Sequence, residues 1–283
     1  MIVVGQAAAE SSYRLETTAV GPGAALNIIE LFFRSHAVEH WILIFSEGSE
    51  MNCLKLRNDI TGPVRESYDR LAAAYAAHYA KELLHKPFDR ELLTRFAAEV
   101  GDSGEVYDMG CGPGQIARYL RDAGLAKVSG LDLSPCMVEQ ARRLNPDITF
   151  QVGDMLALPL PDSSLAGIVA FYAIVNIPRE MLPTALREMW RVLQPGGRLV
   201  LSFHIGDDTI HPGEFLGQRI SMDFFFFQPA AIRKHIEDAG LIVEEIVERE
   251  PYSPDVEYQS RRAYICALKP QEHDMGGIGG NQK

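Results

Sequence analysis

The sequence predicts an α/β fold in which a mostly parallel sheet carries helices on both faces. Three observations lead to this prediction. Residues 105–109 form a short apolar segment, and a glycine-rich turn and a helical segment at 115–121 follow it. Further short apolar segments recur at 128–132, 148–154 and 165–170. Two strand-like segments near the C-terminus have the spacing of a hairpin, and alternating strands and helices are typical of parallel sheets.

The N-terminal part of the chain divides into two regions before the first strand of this sheet. Residues 1–50 have weak periodicity and a Gly21-Pro-Gly break. Two interpretations of them stay open: translation begins at Met51, or residues 1–50 are a helical appendage that covers the ligand site or forms an oligomer contact. Residues 51–100 are predicted to be helical, because 64–75 and 89–100 are rich in helix-favouring residues.

The turn after the first strand contains three glycines, Gly110, Gly112 and Gly114. Without Cβ atoms they let the backbone turn sharply and bring its N–H groups close to a ligand. The helix that begins at Gln115 adds exposed N–H groups and a positive dipole end, which favour an anionic group. Cys111 lies inside this turn, where a small packing residue is a better explanation than a reactive thiol.

The elements after the third strand follow from turn and helix signals. A Pro-Gly-Gly turn separates a helix from the fifth strand, and Pro229 opens the next helix. The predicted elements are a turn (158–162), a fourth strand (165–170), a helix end, turn and fifth strand (190–201), an irregular region containing four consecutive phenylalanines (205–227), a helix (229–239), two strands joined by a Pro-Tyr-Ser-Pro turn (241–250 and 257–268) and a flexible tail (271–283).

Acidic residues occur at fixed places around this framework. Asp108 stands two residues before Gly110, Asp132 ends the second strand 22 residues after Gly110, and Asp154 ends the third. The glycine spacing differs from the G-x-G-x-x-G dinucleotide fingerprint. The pattern resembles the class I, Rossmann-like S-adenosylmethionine-dependent methyltransferases, and among them the small-molecule group that includes the ubiquinone and menaquinone C-methyltransferases. The resemblance spans residues 68–268.

This resemblance implies both a topology and a cofactor site. The fold would be a doubly wound, seven-stranded, mostly parallel sheet with an antiparallel C-terminal hairpin, and residues 101–270 would be the core that binds S-adenosylmethionine. Asp132 would accept hydrogen bonds from the ribose hydroxyls, Asp154 would accept from the adenine amino group, Met155 would cap that ring, and Tyr75 would rest over the cofactor. The other implied cofactor-binding residues are Asp108, Gly110, Cys111, Gly112, Gly114, Leu133, Met137 and Phe171.

Methyl transfer from a sulfonium is an in-line displacement, so the protein mainly has to position the acceptor in a dry pocket. A general base is needed only when the acceptor must lose a proton early. His204 is the best candidate and Tyr172 the second, since both follow strand ends where ligands bind in open sheets. Related enzymes often have a histidine near Asn176, and this chain departs from that pattern. Loop polarity explains the acids and histidines at 204–211, so no metal is predicted.

The amino-acid composition limits which partners and which cellular location are expected. The net charge of −11 gives no basic track for a phosphate backbone, so a nucleic-acid partner is not expected. Four scattered cysteines without a C-x-x-C pair favour the cytoplasm. Charged residues interrupt the longest apolar stretch, 24–45, so no membrane span is expected.

The predicted function is methyl transfer to a small-molecule acceptor. The alternatives are an NAD(P)-dependent oxidoreductase and a catalytically silent cofactor-binding protein. The sequence indicates neither the acceptor atom nor the oligomeric state.

Overall fold

The computed structural model describes the backbone of residues 28–35, 38–45 and 49–271, and the side chains from Ile60 to Gln271. The helices are α1 (Ser49–Tyr79), α2 (Pro87–Val100), α3 (Gln115–Asp122), α4 (Pro135–Leu144), α5 (Leu182–Val192) and α6 (Pro229–Asp238). Three short 3₁₀ turns are Glu82–His85, Ile174–Asn176 and Arg179–Met181. The strands are β1 (Ile28–Ser35), β2 (Val38–Phe45), β3 (Glu105–Met109), β4 (Val128–Asp132), β5 (Thr149–Val152), β6 (Leu165–Phe171), β7 (Leu193–His204), β8 (Thr209–Ile210), β9 (Glu214–Phe215), β10 (Gln218–Arg219), β11 (Phe224–Phe225), β12 (Ile242–Arg249) and β13 (Arg262–Leu268). None of these helices, over the described residues, is long and apolar enough to cross a membrane.

The chain divides into two compact units, residues 1–61 and 62–283. In the first unit, β1 and β2 pair as an antiparallel hairpin, with Ile28 opposite Phe45 and Ser35 opposite Val38. The segment is rich in β-branched and aromatic residues, which favour strands. Of the two open interpretations, the helical appendage is therefore wrong for residues 28–35 and 38–45. The rest of residues 1–48 and the predicted tail from 272 onward lie outside the described residues.

In the second unit, seven strands form one sheet in the order β12-β13-β7-β6-β3-β4-β5. All neighbouring pairs from β7 to β5 are parallel. β13 alone runs antiparallel, and it pairs with both β7 and β12. The predicted mostly parallel seven-stranded sheet with an antiparallel C-terminal hairpin is therefore confirmed. The order reverses beside β3, so the open crevice lies at the carboxyl ends of β3, β4 and β6.

Helices cover both faces of this sheet, as the doubly wound fold requires. One apolar cluster joins α5 and α6 to strand residues such as Met109 and Ile168. The other joins α2, α3 and α4 to the alternate strand residues, such as Val106 and Val169. Successive strand side chains point to opposite faces, so the continuous apolar strands serve both layers.

The C-terminal hairpin is shorter than predicted. The strand expected at 257–268 begins only at Arg262, and residues 250–261 form a long connection. Glu257 lies inside that connection, where its carboxylate accepts from the Tyr252 N–H (2.6 Å) and from Arg249 (2.6 Å). Side-chain bonds thus replace a strand ladder there. The irregular region at 205–227 contains two short antiparallel ladders, β8 with β11 and β9 with β10.

The position of the core within the second unit predicts that residues 1–50 are dispensable for folding. The seven-stranded sheet and both apolar clusters lie beyond Gly62. A chain that begins at Met51 is expected to unfold cooperatively within a few degrees of the full chain, measured by thermal denaturation. Loss of the cooperative transition in the shorter chain would show that the first fifty residues are needed for the core to fold.

Candidate active site

The glycine turn after β3 is held against the end of β4. The N–H groups of Gly110 and Cys111 both donate to the Leu131 carbonyl, at 2.8 and 3.0 Å. Gly110 has a φ of 68°, and a Cβ there would meet the Ala173 Cβ at 2.7 Å. Gly112 has a φ of 48° and lies beside the Tyr75 ring, which a Cβ would meet at 3.6 Å. Glycine is therefore required at Gly110 by close packing and at both positions by backbone conformation.

Two buried carboxyl groups support this turn from below. Asp108 accepts a hydrogen bond from the Ala117 N–H at 3.0 Å, in the first turn of α3. Asp132 accepts from the Gly112 N–H at 2.8 Å and from the Ser134 N–H at 2.9 Å. Burial raises the pKa of Asp108 to about 7 and that of Asp132 to about 6. Desolvation of these acids favours a nearby cation, which would stabilise their charged forms.

The burial of Asp108 predicts a pH dependence of stability in the ligand-free protein. Its folded-state pKa of about 7 lies above the ordinary 3.8, so the folded state binds more protons than the unfolded state between these values. The free energy of unfolding is therefore expected to fall as the pH rises from about 4 to about 7. Asp108→Asn keeps an acceptor for Ala117 and should flatten this dependence in urea unfolding. Equal slopes for the two proteins would contradict the raised pKa.

A cavity of about 290 Å³ opens beside the glycine turn. Eight of the predicted site residues line it: Tyr75, Asp108, Gly110, Cys111, Gly112, Phe171, Tyr172 and His204. The other six do not belong to its wall: Gly114, Asp132, Leu133, Met137, Asp154 and Met155. Among these, Met137 is 1% exposed and packs with Leu71 of α1. Asp154 accepts from the Leu156 N–H at 2.8 Å, which closes a turn after β5.

Helix α1 places a row of tyrosines over the turn. Tyr68 and Tyr75 lie on one face, with ring centroids 6.0 Å apart, and Tyr75 contacts Tyr79 at 4.4 Å. The Tyr68 hydroxyl donates to Asn176 at 2.7 Å, in the turn after β6. Asn176 in turn donates to the Asp223 carbonyl at 2.7 Å. Asn176 therefore links the helix to the segment between β7 and α6, which is a structural role.

The two predicted base candidates lie together on the cavity wall. His204 stacks on Phe226 at 5.1 Å, and its Nδ1 lies 2.7 Å from the Ser260 hydroxyl. Burial, with the positive charges of Arg262 and Lys86, lowers the pKa of His204 to about 3. The imidazole is therefore neutral and a weak base at neutral pH.

Tyr172 has a φ of 53°, and burial raises the pKa of its phenol above the ordinary range. Left-handed backbone is strained for a bulky residue. The left-handed conformation at Tyr172 turns the chain sharply after β6 and leaves the ring on the cavity wall.

The comparisons with known proteins match this geometry. A family described as a methyltransferase domain matches residues 106–197, from β3 into β7. This match to a methyltransferase domain includes the glycine turn, both buried acids, Asp154 and Tyr172.

Individual relatives and structures resemble the methyltransferase domain and its surroundings. The malonyl-acyl-carrier-protein O-methyltransferase of Serratia marcescens is 32% identical over 139 residues, which cover 49% of this chain and 51% of that protein. The demethylmenaquinone methyltransferase of Symbiobacterium thermophilum is 32% identical over 149 residues, covering 48% and 57%. A chain from the complex of the Haloferax volcanii Trm112 methyltransferase activator with a methyltransferase superposes with a TM-score of 0.55 and 26% identity, over 73% of this chain and 99% of that one. The chain thus spans about half the length of the two relatives it matches.

Two groups of charged residues around the methyltransferase domain were missed by the sequence analysis. In the first, Lys86 is 4% exposed and donates to Glu82 at 2.5 Å, and Glu82 accepts from Gln115 at 2.9 Å. The second group lies beside Tyr172 and comprises Asp89, Arg249, Glu257, Arg262 and Tyr264, of which Asp89, Glu257 and Arg262 also line the cavity. Charged residues are usually exposed, and no local pattern shows that these are buried.

The polar residues at 204–211 do not converge on one point. His211 pairs with Asp223 at 2.6 Å, Asp207 accepts from Gln228 at 2.8 Å, and His204 faces Ser260. Over the described residues, no group of three or more histidine, cysteine or acidic side chains is arranged to hold a metal ion.

The far wall of the cavity comes from the segment between β7 and α6. Its lining residues are apolar or aromatic: Ile210, Pro212, Phe215, Phe224 and Phe226. Arg179, just before α5, fastens this segment by donating to the carbonyls of Asp207, Asp208 and Phe226 at 2.9 to 3.0 Å. The four phenylalanines divide between core and cavity. Phe227 packs in the core, while Phe224 and Phe226 line the cavity.

Proposed function

We propose that this protein transfers the methyl group of S-adenosylmethionine to a small molecule bound in the cavity. One observation carries the proposal: the glycine turn with its two buried acids opens into the same cavity as the aromatic wall on the far side. A cofactor on the turn would therefore face an acceptor against that wall. The methyltransferase names of the relatives support this function.

The residues around the turn fit the methionine end of this cofactor. The side-chain oxygen Oε1 of Gln115 is buried and has no hydrogen-bond partner among the described residues. It lies on the cavity wall with Glu82 and Lys86. These three groups offer acceptors for an ammonium and a cation for a carboxylate, the two ends of an amino acid. Asp108 supplies further negative charge beside the turn, which suits a cationic sulfonium.

The adenosine end would be held by residues at the ends of β4 and β5. We assign the ribose hydroxyls to Asp132 and the adenine amino group to Asp154, with Met155 against the ring. Leu133, Met137 and Phe171 supply apolar contacts, and Gly114 closes the turn by donating to the Cys111 carbonyl at 2.8 Å.

S-adenosylmethionine supplies an activated methyl group when it is bound. The protein therefore has to position the acceptor and to exclude water. Tyr68, Tyr75 and Tyr79 cover the turn from the α1 side. Phe171 and Phe226 offer ring faces against which a flat acceptor can be aligned. His204 and Tyr172 bound the acceptor side of the cavity. We place the reaction in the cytoplasm, which the unpaired thiols of Cys111, Cys136 and Cys266 support.

Calorimetric titration with S-adenosylhomocysteine and, separately, with NAD tests the cofactor. Saturable binding of the former and none of the latter is expected, and the reverse result would support an oxidoreductase. A catalytically silent protein would bind S-adenosylhomocysteine but release none of it from S-adenosylmethionine across a panel of hydroxyl, amine and thiol acceptors.

The role of Asp154 gives a further prediction. Asp154→Ala removes the acceptor for Leu156, so the ligand-free protein should lose about 1 kcal/mol of unfolding free energy. If Asp154 also binds adenine, affinity for S-adenosylhomocysteine falls as well, and it falls less for Asp154→Asn, whose amide can turn its oxygen to the ligand. Lower stability with unchanged affinity in both variants would leave Asp154 only the turn-closing role.

A further inference from the structure

A chain of hydroxyl groups joins Tyr172 to Asp89, a nearly inaccessible acid that also belongs to the cavity lining. The Tyr172 hydroxyl lies 3.2 Å from the Tyr264 hydroxyl, and the Tyr264 hydroxyl donates to Asp89 at 2.6 Å. A phenol has one hydrogen, so Tyr264 cannot also donate to Tyr172. Tyr172 must therefore be the donor in that pair. All the hydrogen bonds of the chain consequently point in one direction, from Tyr172 to the carboxylate.

Asp89, at the end of this chain of hydroxyl groups, is suited to accept a proton. Asp89 is 1% exposed and Tyr264 is 1% exposed. The groups that face Asp89 are Lys86, Glu82, Arg249 and Tyr264. Burial raises the pKa of Asp89, while the Tyr264 hydrogen bond and the cations Lys86 and Arg249 oppose the shift. A carboxylate with a raised pKa is a better proton acceptor than a solvated one.

Cations stabilise the middle of the chain. Arg249 donates to the Tyr264 oxygen through Nη2 at 2.8 Å and through Nε at 3.1 Å. Glu257, which is 2% exposed on its side chain, balances Arg249 at 2.6 Å and Arg262 at 3.2 Å. Arg262 also lies 5.8 Å from the centre of the Tyr172 ring. Positive charge beside both tyrosines favours oxyanions during a proton shift.

The surroundings of Tyr172 in the cavity are aromatic. Its ring lies 5.2 Å from His204, which stacks on Phe226, and Phe171 and Tyr258 line the same space. Flat aromatic compounds suit such a wall, because offset stacking and edge contacts add to apolar burial.

We propose that Tyr172, Tyr264 and Asp89 form a proton path that takes the proton of an aromatic hydroxyl on the acceptor; this rests on the proposed methyl transfer. The acceptor hydroxyl donates its proton to the Tyr172 oxygen, Tyr172 passes its own proton to Tyr264, and Tyr264 passes its own to Asp89. The acceptor becomes a phenolate that accepts a hydrogen bond from Tyr172. Its oxygen then bonds to the methyl carbon as the carbon–sulfur bond breaks, and Asp89 returns its proton to solvent after product release.

The test uses 4-nitrophenol, whose ionised form has its own absorption band, bound in the presence of saturating S-adenosylhomocysteine. The wild-type protein is expected to hold a larger ionised fraction of the bound phenol than free solution does at the same pH. Asp89→Asn should reduce the ratio of ionised to neutral bound phenol about tenfold, a shift of about one pKa unit. Tyr172→Phe and Tyr264→Phe should do the same, because each interrupts the path.

The sign of the Asp89→Asn effect separates the path from a structural role. Removal of a buried negative charge alone would favour the phenolate, so an increased ionised fraction in this variant would overturn the proposal. An unchanged ionised fraction in Tyr172→Phe would overturn the proposal as well. This variant also serves if Asp89→Asn prevents folding, because it keeps the aromatic ring and removes only a hydroxyl group. Tyr119→Phe is the matched control, because Tyr119 bonds to Arg90 and Thr94 outside the cavity.

The same samples distinguish this inference from the proposed function. Calorimetry measures S-adenosylhomocysteine binding by each protein. Absence of binding by the wild type would refute the proposed methyl transfer. Normal binding by Asp89→Asn, together with a lost phenolate band, would support the proton path. Normal binding with the band retained would refute the path and leave the methyl transfer intact.

Discussion

Replacing Asp132 with alanine is expected to weaken binding of S-adenosylhomocysteine by at least about tenfold. The predicted carboxylate bonds to the ribose are charge-assisted, each worth about 1.5–3 kcal/mol. The structure adds a second loss, that of stability in the ligand-free protein, because Asp132 also accepts from the N–H groups of Gly112 and Ser134. Without it the Gly112 donor is left without its partner and the glycine turn is less well ordered. Calorimetry measures the affinity, and thermal denaturation without ligand measures the second loss.

Asp132→Asn separates these two contributions. The amide oxygen can still accept from one of the two N–H groups, so the ligand-free protein should be more stable than Asp132→Ala. It cannot supply the negative charge, so affinity should remain well below that of the wild type. Wild-type affinity in either variant would contradict the assignment of Asp132 to the ribose.

Replacing Arg249 with methionine is expected to lower the free energy of unfolding by about 3–5 kcal/mol, because it leaves buried acids without their main cation. Arg249 bonds to Glu257 at 2.6 Å and lies 3.4 Å from Asp89, and both carboxylate side chains are nearly inaccessible. Methionine fills similar space with an apolar chain, so the loss is mainly electrostatic. Urea unfolding at neutral pH measures it.

Arg261→Met is the matched control for this change. Arg261 pairs with Glu248 at 2.8 Å, but its side chain is 52% exposed. Exposed pairs are worth about 0–1 kcal/mol, so this variant should unfold close to the wild type. Similar losses in the two variants would show that the buried ion pairs of Arg249 stabilise the fold no more than the exposed pair of Arg261 does.

The framework of the site was predictable because its signals are local. The strand, turn and helix around Gly110 follow one another within a few residues, and each acts on its own backbone. Asp108 and Asp132 could be placed because strand ends meet at one edge of a parallel sheet. The helical interpretation of residues 28–35 and 38–45 is wrong for the opposite reason: the signal for these strands is not local. Their strand-favouring residues form no clear alternation, and the pairing becomes evident only when both strands are present.

The charged network could not be predicted, since its members are far apart in the chain. Asp89 and Tyr264 are separated by 175 positions and belong to a helix and an edge-adjacent strand. Their contact depends on β13 lying next to β7, which no local pattern specifies. Glu257 was placed in a strand because the sequence carries no signal for the side-chain bonds that hold it in a loop instead. Long-range packing, and not propensity, decides these positions.

The division of the cavity wall separates two kinds of position. The side with the glycine turn is built on the sheet, whereas the far side is a single segment between β7 and α6, fastened largely by Arg179 to backbone carbonyls. Bonds to carbonyls place few demands on the side chains of the residues that supply them. Substitutions at Ile210, Pro212 and Phe215 can therefore reshape the cavity while Phe227 keeps its place in the core.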